Sequence, residues 1–273
     1  MHSISDFHLH SDFSTDCSFS MEEMIKAAIK KGLDTICFTE HNDFDFPYEA
    51  CGMEPDAFLL NTDSYLYTLL QLRQKYEEHI RILFGIELGL QPCCLHKNII
   101  LSKSYDFDFI IASSHLCQGA DPYYPSFFEG KDTKACCRAY FEEILSNIKA
   151  FTGFNVYGHL DYIARYIPAN AAPYICTDYQ DITDEILKHL IENEKGIECN
   201  TSGLRKSLNA TNPAPEIIKR YRELGGELIT IGSDAHTPGD IGAGFSAAAA
   251  ILLDCGFRYY TTFEGGQPSF HKI

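Results

Sequence analysis

His8/His10, His41, Glu87, His115, His159 and the Asp234-Ala-His236 triplet each stand where an apolar, β-like run stops, and no other feature constrains the fold as much. Imidazoles and carboxylates that converge from several strand ends hold divalent ions and activate a bound water near neutral pH. Hydrolysis at one shared metal centre is therefore the first expectation.

The runs are Ile4 to Leu9, Thr35 to Thr39, Ile80 to Ile86, Phe109 to Ala112, Asn155 to Gly158, Gly196 to Cys199 and Leu228 to Gly232. Between them, helical patterns begin near Met21 and cover Tyr65 to Glu78, Ala135 to Phe151, Asp184 to Glu194 and Pro215 to Leu224. Ser20 and Glu23 have the spacing of a capping box, and Gly32 is placed to end the first helix. Strand and helix in alternation predict a parallel sheet, and unbroken apolar runs predict strands buried on both faces. An open doubly wound sheet and a closed barrel both fit. Candidate ligands after nearly every strand favour closure, because a barrel gathers all its C-terminal strand ends at one mouth. Two long excursions, Asn42 to Asn61 and Leu116 to Lys134, are positioned to wall a pocket there.

A chain of 273 residues suits one α/β domain spanning 1–273, with enough length for a sizeable core. The 22 Lys and Arg against 38 Asp and Glu, a formal charge of -16, disfavour a nucleic-acid groove; bound cations would offset part of that charge. Eleven scattered cysteines without a CxxC pair read as reduced thiols rather than a disulfide framework or zinc knuckle. The polar N-terminus lacks a secretory pattern and no run is long and apolar enough for a membrane span, so a cytoplasmic location is expected.

A lone HxH pair is weak evidence; the set carries the weight. Residues two apart in a strand share a face, so His8 and His10 aim at one ion, and Asp234 and His236 repeat the spacing at the far end of the chain. Glu87 offers two oxygens and so bridges ions as no imidazole does.

Through Asp6-Phe-His-Leu-His10, Thr39-Glu-His41, Gly85-Ile-Glu87, Ser113-Ser-His115, Gly158-His-Leu-Asp161 and Ser233-Asp-Ala-His236, the chain resembles the PHP (polymerase and histidinol phosphatase) superfamily of metal-dependent phosphoesterases. Its length, Thr39-Glu-His41 and the segment from Asp121 to Lys131 look like the histidinol-phosphatase branch. The resemblance implies a distorted (β/α)7 barrel with three divalent ions, zinc, manganese or iron. By it, His8, His10, Glu87 and Asp234 hold the first ion, and Glu87 bridges to a second bound by His115 and His159. The third takes Asp16, His41 and His236, with Asp16 standing where some relatives carry histidine.

The implied reaction is hydrolysis of a small phosphomonoester, L-histidinol phosphate, in histidine biosynthesis. Asp234 or His236 would manage protons near the leaving group. Arg165, and Arg205 with Lys206, are the expected phosphate clamps, the guanidinium groups outranking the amine because they bind phosphate in bidentate fashion. Glu40, Asp161 and Glu198 are expected to orient the ligand histidines. Two other readings stand beside this one. A phosphoesterase for nucleotides or short oligonucleotides would need a basic strip by the mouth, which the composition disfavours. A barrel that binds metal without turnover is opposed by the complete ligand set.

Overall fold

The computed structural model describes residues 5–205 and 208–273, so the start of the first run and Lys206 lie outside the described residues. The strands are β1 (Ser5–Leu9), β2 (Thr35–Asn42), β3 (Arg81–Gly89), β4 (Phe109–Ser113), β5 (Val156–Tyr157), β6 (Gly196–Asn200) and β7 (Ile229–Gly232). They form one parallel sheet in chain order. The helices are α1 (Met21–Lys30), α2 (Tyr48–Cys51), α3 (Thr62–Lys75), α4 (Leu95–Ser104), α5 (Thr133–Ala150), α6 (Gln180–Glu192), α7 (Pro215–Glu223) and α8 (Phe245–Asp254). The capping box at Ser20 is present with both of its hydrogen bonds, and Gly32 takes a left-handed φ of 76°. Helix α3 starts three residues before the expected position because the Asn61 side chain accepts from Ser64 N and caps it.

The sheet nearly closes. Strand β1 meets the segment after β7 through a parallel bridge between Leu9 and Ala235, with His8 O accepting from Asp234 N at 2.7 Å and His10 N donating to Ala235 O at 2.9 Å. Buried Asp6 secures the seam by accepting from Ser233 N and Gly242 N, each at 2.9 Å. The two ends of the chain's ligand pattern are thereby placed side by side.

Strand alternation, with a register shift in β1 between Asp6 and Leu9 that puts Phe7 and Leu9 on opposite faces, sorts the core in two. Leu9, Ile36, Phe38, Ile82 and Phe84 pack outward with Met24, Ile25, Tyr65 and Leu69 of the helices. Phe7, Cys37, Leu83, Phe109, Ile111 and Val156 form a separate cluster inside the barrel. Its lower end is closed by an element outside the expected alternation, a hairpin of β8 (Tyr259–Glu264) and β9 (Gln267–Lys272). Phe263 enters the inner cluster and stacks on Phe109 with centroids 5.2 Å apart, while Gly266 N donates to Asp108 O at 3.0 Å. Phe263→Ala should lower stability by about 3–5 kcal/mol, because a packed ring is replaced by a cavity under the barrel. An unchanged urea midpoint would show that the hairpin is not part of the core.

Candidate metal centre

The metal-binding side chains occupy the layer above the inner apolar cluster, at the C-terminal strand ends. Gly232 makes room beneath them: a Cβ there would come within 2.3 Å of Glu198 Oε1 and 2.4 Å of His8 Cβ. The bare backbone lets the Glu198 carboxylate sit inside the barrel, 2.6 Å from His8 Nδ1, which donates to it. His159 N donates to the other Glu198 oxygen at 3.0 Å. Glu198 thus fixes the His8 ring with Nε2 toward the mouth. His159 and Asp234 carry positive φ values of 21° and 53°, backbone states that cost about 1–3 kcal/mol each and cluster at functional sites.

Glu87 stands at the centre, fully buried. Its Oε2 lies 3.2 Å from His8 Nε2, 3.7 Å from His10 Nε2 and 2.8 Å from His41 Nδ1. Its Oε1 lies 3.2 Å from His115 Nε2 and 2.8 Å from His159 Nε2. Asp234 Oδ1 completes the first group, 3.9 and 3.7 Å from His8 and His10. Asp16 Oδ2 lies 3.1 Å from His236 Nε2 and 3.7 Å from His41 Nε2, and those two nitrogens are 3.4 Å apart. All nine candidate ligands therefore converge: Glu87 joins two histidine groups, and His41 links it to Asp16 and His236.

Glu87 Oε1 accepts from His115 Nε2 and His159 Nε2, while other atoms of the set have no partner. His8 Nε2, His10 Nε2, His41 Nδ1, His159 Nδ1 and Glu87 Oε2 are buried without an aligned hydrogen bond. Leaving such atoms unpartnered costs about 1–3 kcal/mol apiece, a cost that coordination removes. Burial and the neighbouring His41 and His236 push the His10 imidazole well below its ordinary pKa, which keeps it neutral and fit to bind metal. For Asp234, burial alone would raise the carboxyl, yet His8 and Arg165 outweigh it and hold the group well below the usual carboxylate range.

Surrounding groups orient the histidines. Asp43, which was not singled out from the sequence, accepts from His115 Nδ1 at 2.9 Å. Ser14 Oγ lies 3.1 Å from His10 Nδ1 and donates to Glu40 at 2.6 Å, so Glu40 acts through a serine. Asp161 is a correction: it touches no histidine and instead accepts from Asn212 Nδ2 at 2.7 Å and Ala214 N at 2.9 Å. Asn212 in turn accepts from Arg165 Nε at 2.8 Å. Glu198→Gln should weaken metal binding roughly 10- to 100-fold, as loss of an orienting carboxylate commonly does. Chelator competition checks this, and wild-type affinity would remove Glu198 from the support of the centre.

A cavity opens over the ligands. His41, His115, His159, Asp234 and His236 contribute to its floor, and both long excursions supply wall residues, Asp43, Phe46 and Phe58 from one and Asp121 from the other. Tyr162, Arg165 and Tyr166, on a 3-10 turn after β5, complete it. Arg165 is 4% exposed, with Nη1 3.2 Å from Asp234 Oδ2 and Nη2 donating to Asn200 Oδ1 at 3.2 Å. Arg205 is not among the lining residues; it donates to Ser233 O at 2.7 Å and pairs with Asp240 at 3.2 Å. Its Nη1 is buried without a hydrogen-bond partner, so these contacts leave part of the guanidinium for the expected clamping role.

A nearly closed seven-stranded barrel with buried His, Asp and Glu converging under a cavity defines the class of metal-dependent hydrolases. A profile of the PHP domain matches residues 6–202, and the chain belongs to that family. It is 33% identical over 253 residues to a probable histidinol-phosphatase of Clostridium acetobutylicum, covering 93% of this chain and 94% of the relative. It is 32% identical over 268 residues to the histidinol-phosphatase of Lactococcus lactis, covering 98% and 97%. The crystal structure of the Lactococcus lactis histidinol phosphate phosphatase with zinc, L-histidinol and phosphate superposes with a TM-score of 0.88 at 31% identity, over 97% of this chain and 98% of that one. A structure from Listeria monocytogenes shares the fold, with a TM-score of 0.75 at 21% identity over 89% and 99%. Among the described residues no helix is long and apolar enough to cross a membrane.

Proposed function

We propose that this chain hydrolyses L-histidinol phosphate to L-histidinol and phosphate, with three divalent ions bound by the nine converging side chains. The observation that carries the reading is Glu87, whose two oxygens face two different histidine groups. Relatives named histidinol-phosphatase along nearly the whole chain, one of them solved with zinc, L-histidinol and phosphate, support the substrate.

In the reaction, water adds to phosphorus, the bond from phosphorus to the alcohol oxygen breaks, and the alcohol leaves with a proton. Divalent ions bound here supply neutralisation of phosphoryl charge and an activated water. Arg165 lines the same cavity and offers its remaining N–H groups to a phosphoryl oxygen. Asp234 turns one oxygen to the ligand histidines and the other to Arg165, Asn200 and Ser202, so it orients rather than transfers protons. His236 turns Nε2 to Asp16 and His41 and Nδ1 to Asp234 O at 3.1 Å, so it too acts as a ligand, and the proton that the alcohol takes comes from the attacking water.

Phosphate release from L-histidinol phosphate, a nucleoside monophosphate and an aryl phosphate, measured side by side on metal-loaded protein, tests the reading. Strong preference for histidinol phosphate is expected. Preference for the nucleotide would replace it with a nucleotide phosphoesterase.

A further inference from the structure

A second set of metal-binding donors stands apart from the nine. Cys93 and Cys94 lack the spacing of a zinc knuckle, yet at the turn that opens α4 their sulfurs lie 3.3 Å apart, Cys93 exposed and Cys94 buried. The third donor comes from the first excursion: Asp45 Oδ2 lies 3.3 Å from Cys94 Sγ, and the three donor atoms are all within 4.8 Å of one another. Lys97, in the first turn of α4, donates to Asp45 Oδ1 at 2.6 Å, while Oδ2 faces Cys94. Asp45, Cys93 and Cys94 are not among the residues lining the cavity over the metal centre, although Asp43 and Phe46 of the same excursion are. As thiols these groups are poorly satisfied. Cys94 has one S–H to give and two oxygen acceptors at 3.3 Å, Asp45 Oδ2 and Phe44 O, and the latter already accepts from Gln91 Nε2 at 2.9 Å. Burial, then Cys93 and Asp45 beside it, push the Cys94 thiol well above its ordinary pKa, so a thiolate there calls for a cation.

Charge and size both fit a divalent ion. Two thiolates and one carboxylate against the Lys97 ammonium leave two negative charges, the complement of one such cation. A tetrahedral zinc ion with bonds of about 2.0–2.3 Å spaces its ligands roughly 3.6–3.8 Å apart, slightly wider than the separations already present. Two sulfurs also exclude magnesium and calcium, which take oxygen ligands. We infer that Cys93, Cys94 and Asp45 form a further metal site for one thiophilic divalent cation, zinc by preference, separate from the nine-ligand centre. Binding replaces both S–H bonds with sulfur–metal bonds and releases the two protons to solvent, leaving the fourth position to water. The ion clips the loop that carries Asp43 and Phe46 to the start of α4, so its occupancy stiffens one wall of the cavity.

Cobalt(II) reports thiolate ligation through a sulfur-to-metal charge-transfer band in the near ultraviolet, and none of the nine donors of the centre is sulfur. The full chain, stripped of metal and kept reduced with a phosphine, is titrated with cobalt(II) to saturation, and zinc is then added. The band should grow to one cobalt per chain and be bleached by zinc, the tighter-binding ion at thiolates. Cys93→Ser with Cys94→Ser should abolish the band and lower the bound metal by one ion per chain, with the remaining ions and the far-UV circular dichroism as in the wild type. Cys93→Ser alone, at an exposed position that leaves the core untouched, should weaken cobalt binding at the band at least about tenfold. Asp45→Asn keeps both sulfurs and should weaken it about 10- to 100-fold, the worth of one contact with a charged group. Absence of the band from the wild-type chain, its survival in the double serine variant, or full affinity in Asp45→Asn would each overturn the inference. None of these readings depends on turnover, so they stand whether or not the chain hydrolyses L-histidinol phosphate.

Discussion

Glu87→Gln is expected to lower phosphate release at least about 10³-fold, since metal-ion stabilisation of the reacting phosphoryl group is worth several kcal/mol and each 1.4 kcal/mol is tenfold. The reason is its position. Five histidine nitrogens lie within 3.7 Å of its two oxygens, so one carboxylate serves both histidine groups. An amide keeps the shape but loses the charge and turns a donor toward the centre. Metal content should fall with activity, while far-UV circular dichroism stays native because the barrel core beneath is unchanged. Wild-type activity in this variant would sink the shared-carboxylate arrangement.

Arg165→Ala should lower kcat/KM about 10²- to 10³-fold, the usual cost of deleting one donor to the charge that develops in the transition state. Metal content should hold, because Asp234 keeps its contacts with Ser202 Oγ at 3.1 Å and Asn200 Nδ2 at 3.3 Å. Arg165→Lys should recover only part of the loss, since an ammonium lacks the planar fork that binds two oxygens together. Metal loss in parallel with activity would reassign Arg165 from binding phosphate to holding Asp234.

The barrel and most candidate ligands were legible in the sequence because they stand at the ends of buried strands, which announce themselves as apolar runs; Asp16, in the loop between β1 and α1, came only from the family resemblance. Asp43 and Asp121 sit in loops, where no periodicity distinguishes a cavity carboxylate from a surface one. Asp161 misled for a related reason. Its place two residues after His159 suggests a partner for imidazole, whereas the 3-10 turn that follows directs it to Asn212 and Ala214. The closing hairpin left a signal that strand counting passed over, the Gly265-Gly266 pair between two β-prone stretches, with both glycines at positive φ. Arg205 was legible as a charge alone; tertiary structure adds that Ser233 O and Asp240 engage Nη2 and Nε while Nη1 is buried without a partner.

The most direct test is to strip the protein of metal, titrate zinc or manganese back, and follow phosphate release from L-histidinol phosphate against bound metal per chain. No release from stripped protein and activity that rises with occupancy toward three ions is the expected result. Release that is independent of metal, or full occupancy without release from L-histidinol phosphate or any other phosphate ester, would contradict a metal-dependent phosphatase, the latter pointing to a barrel that binds metal without turnover.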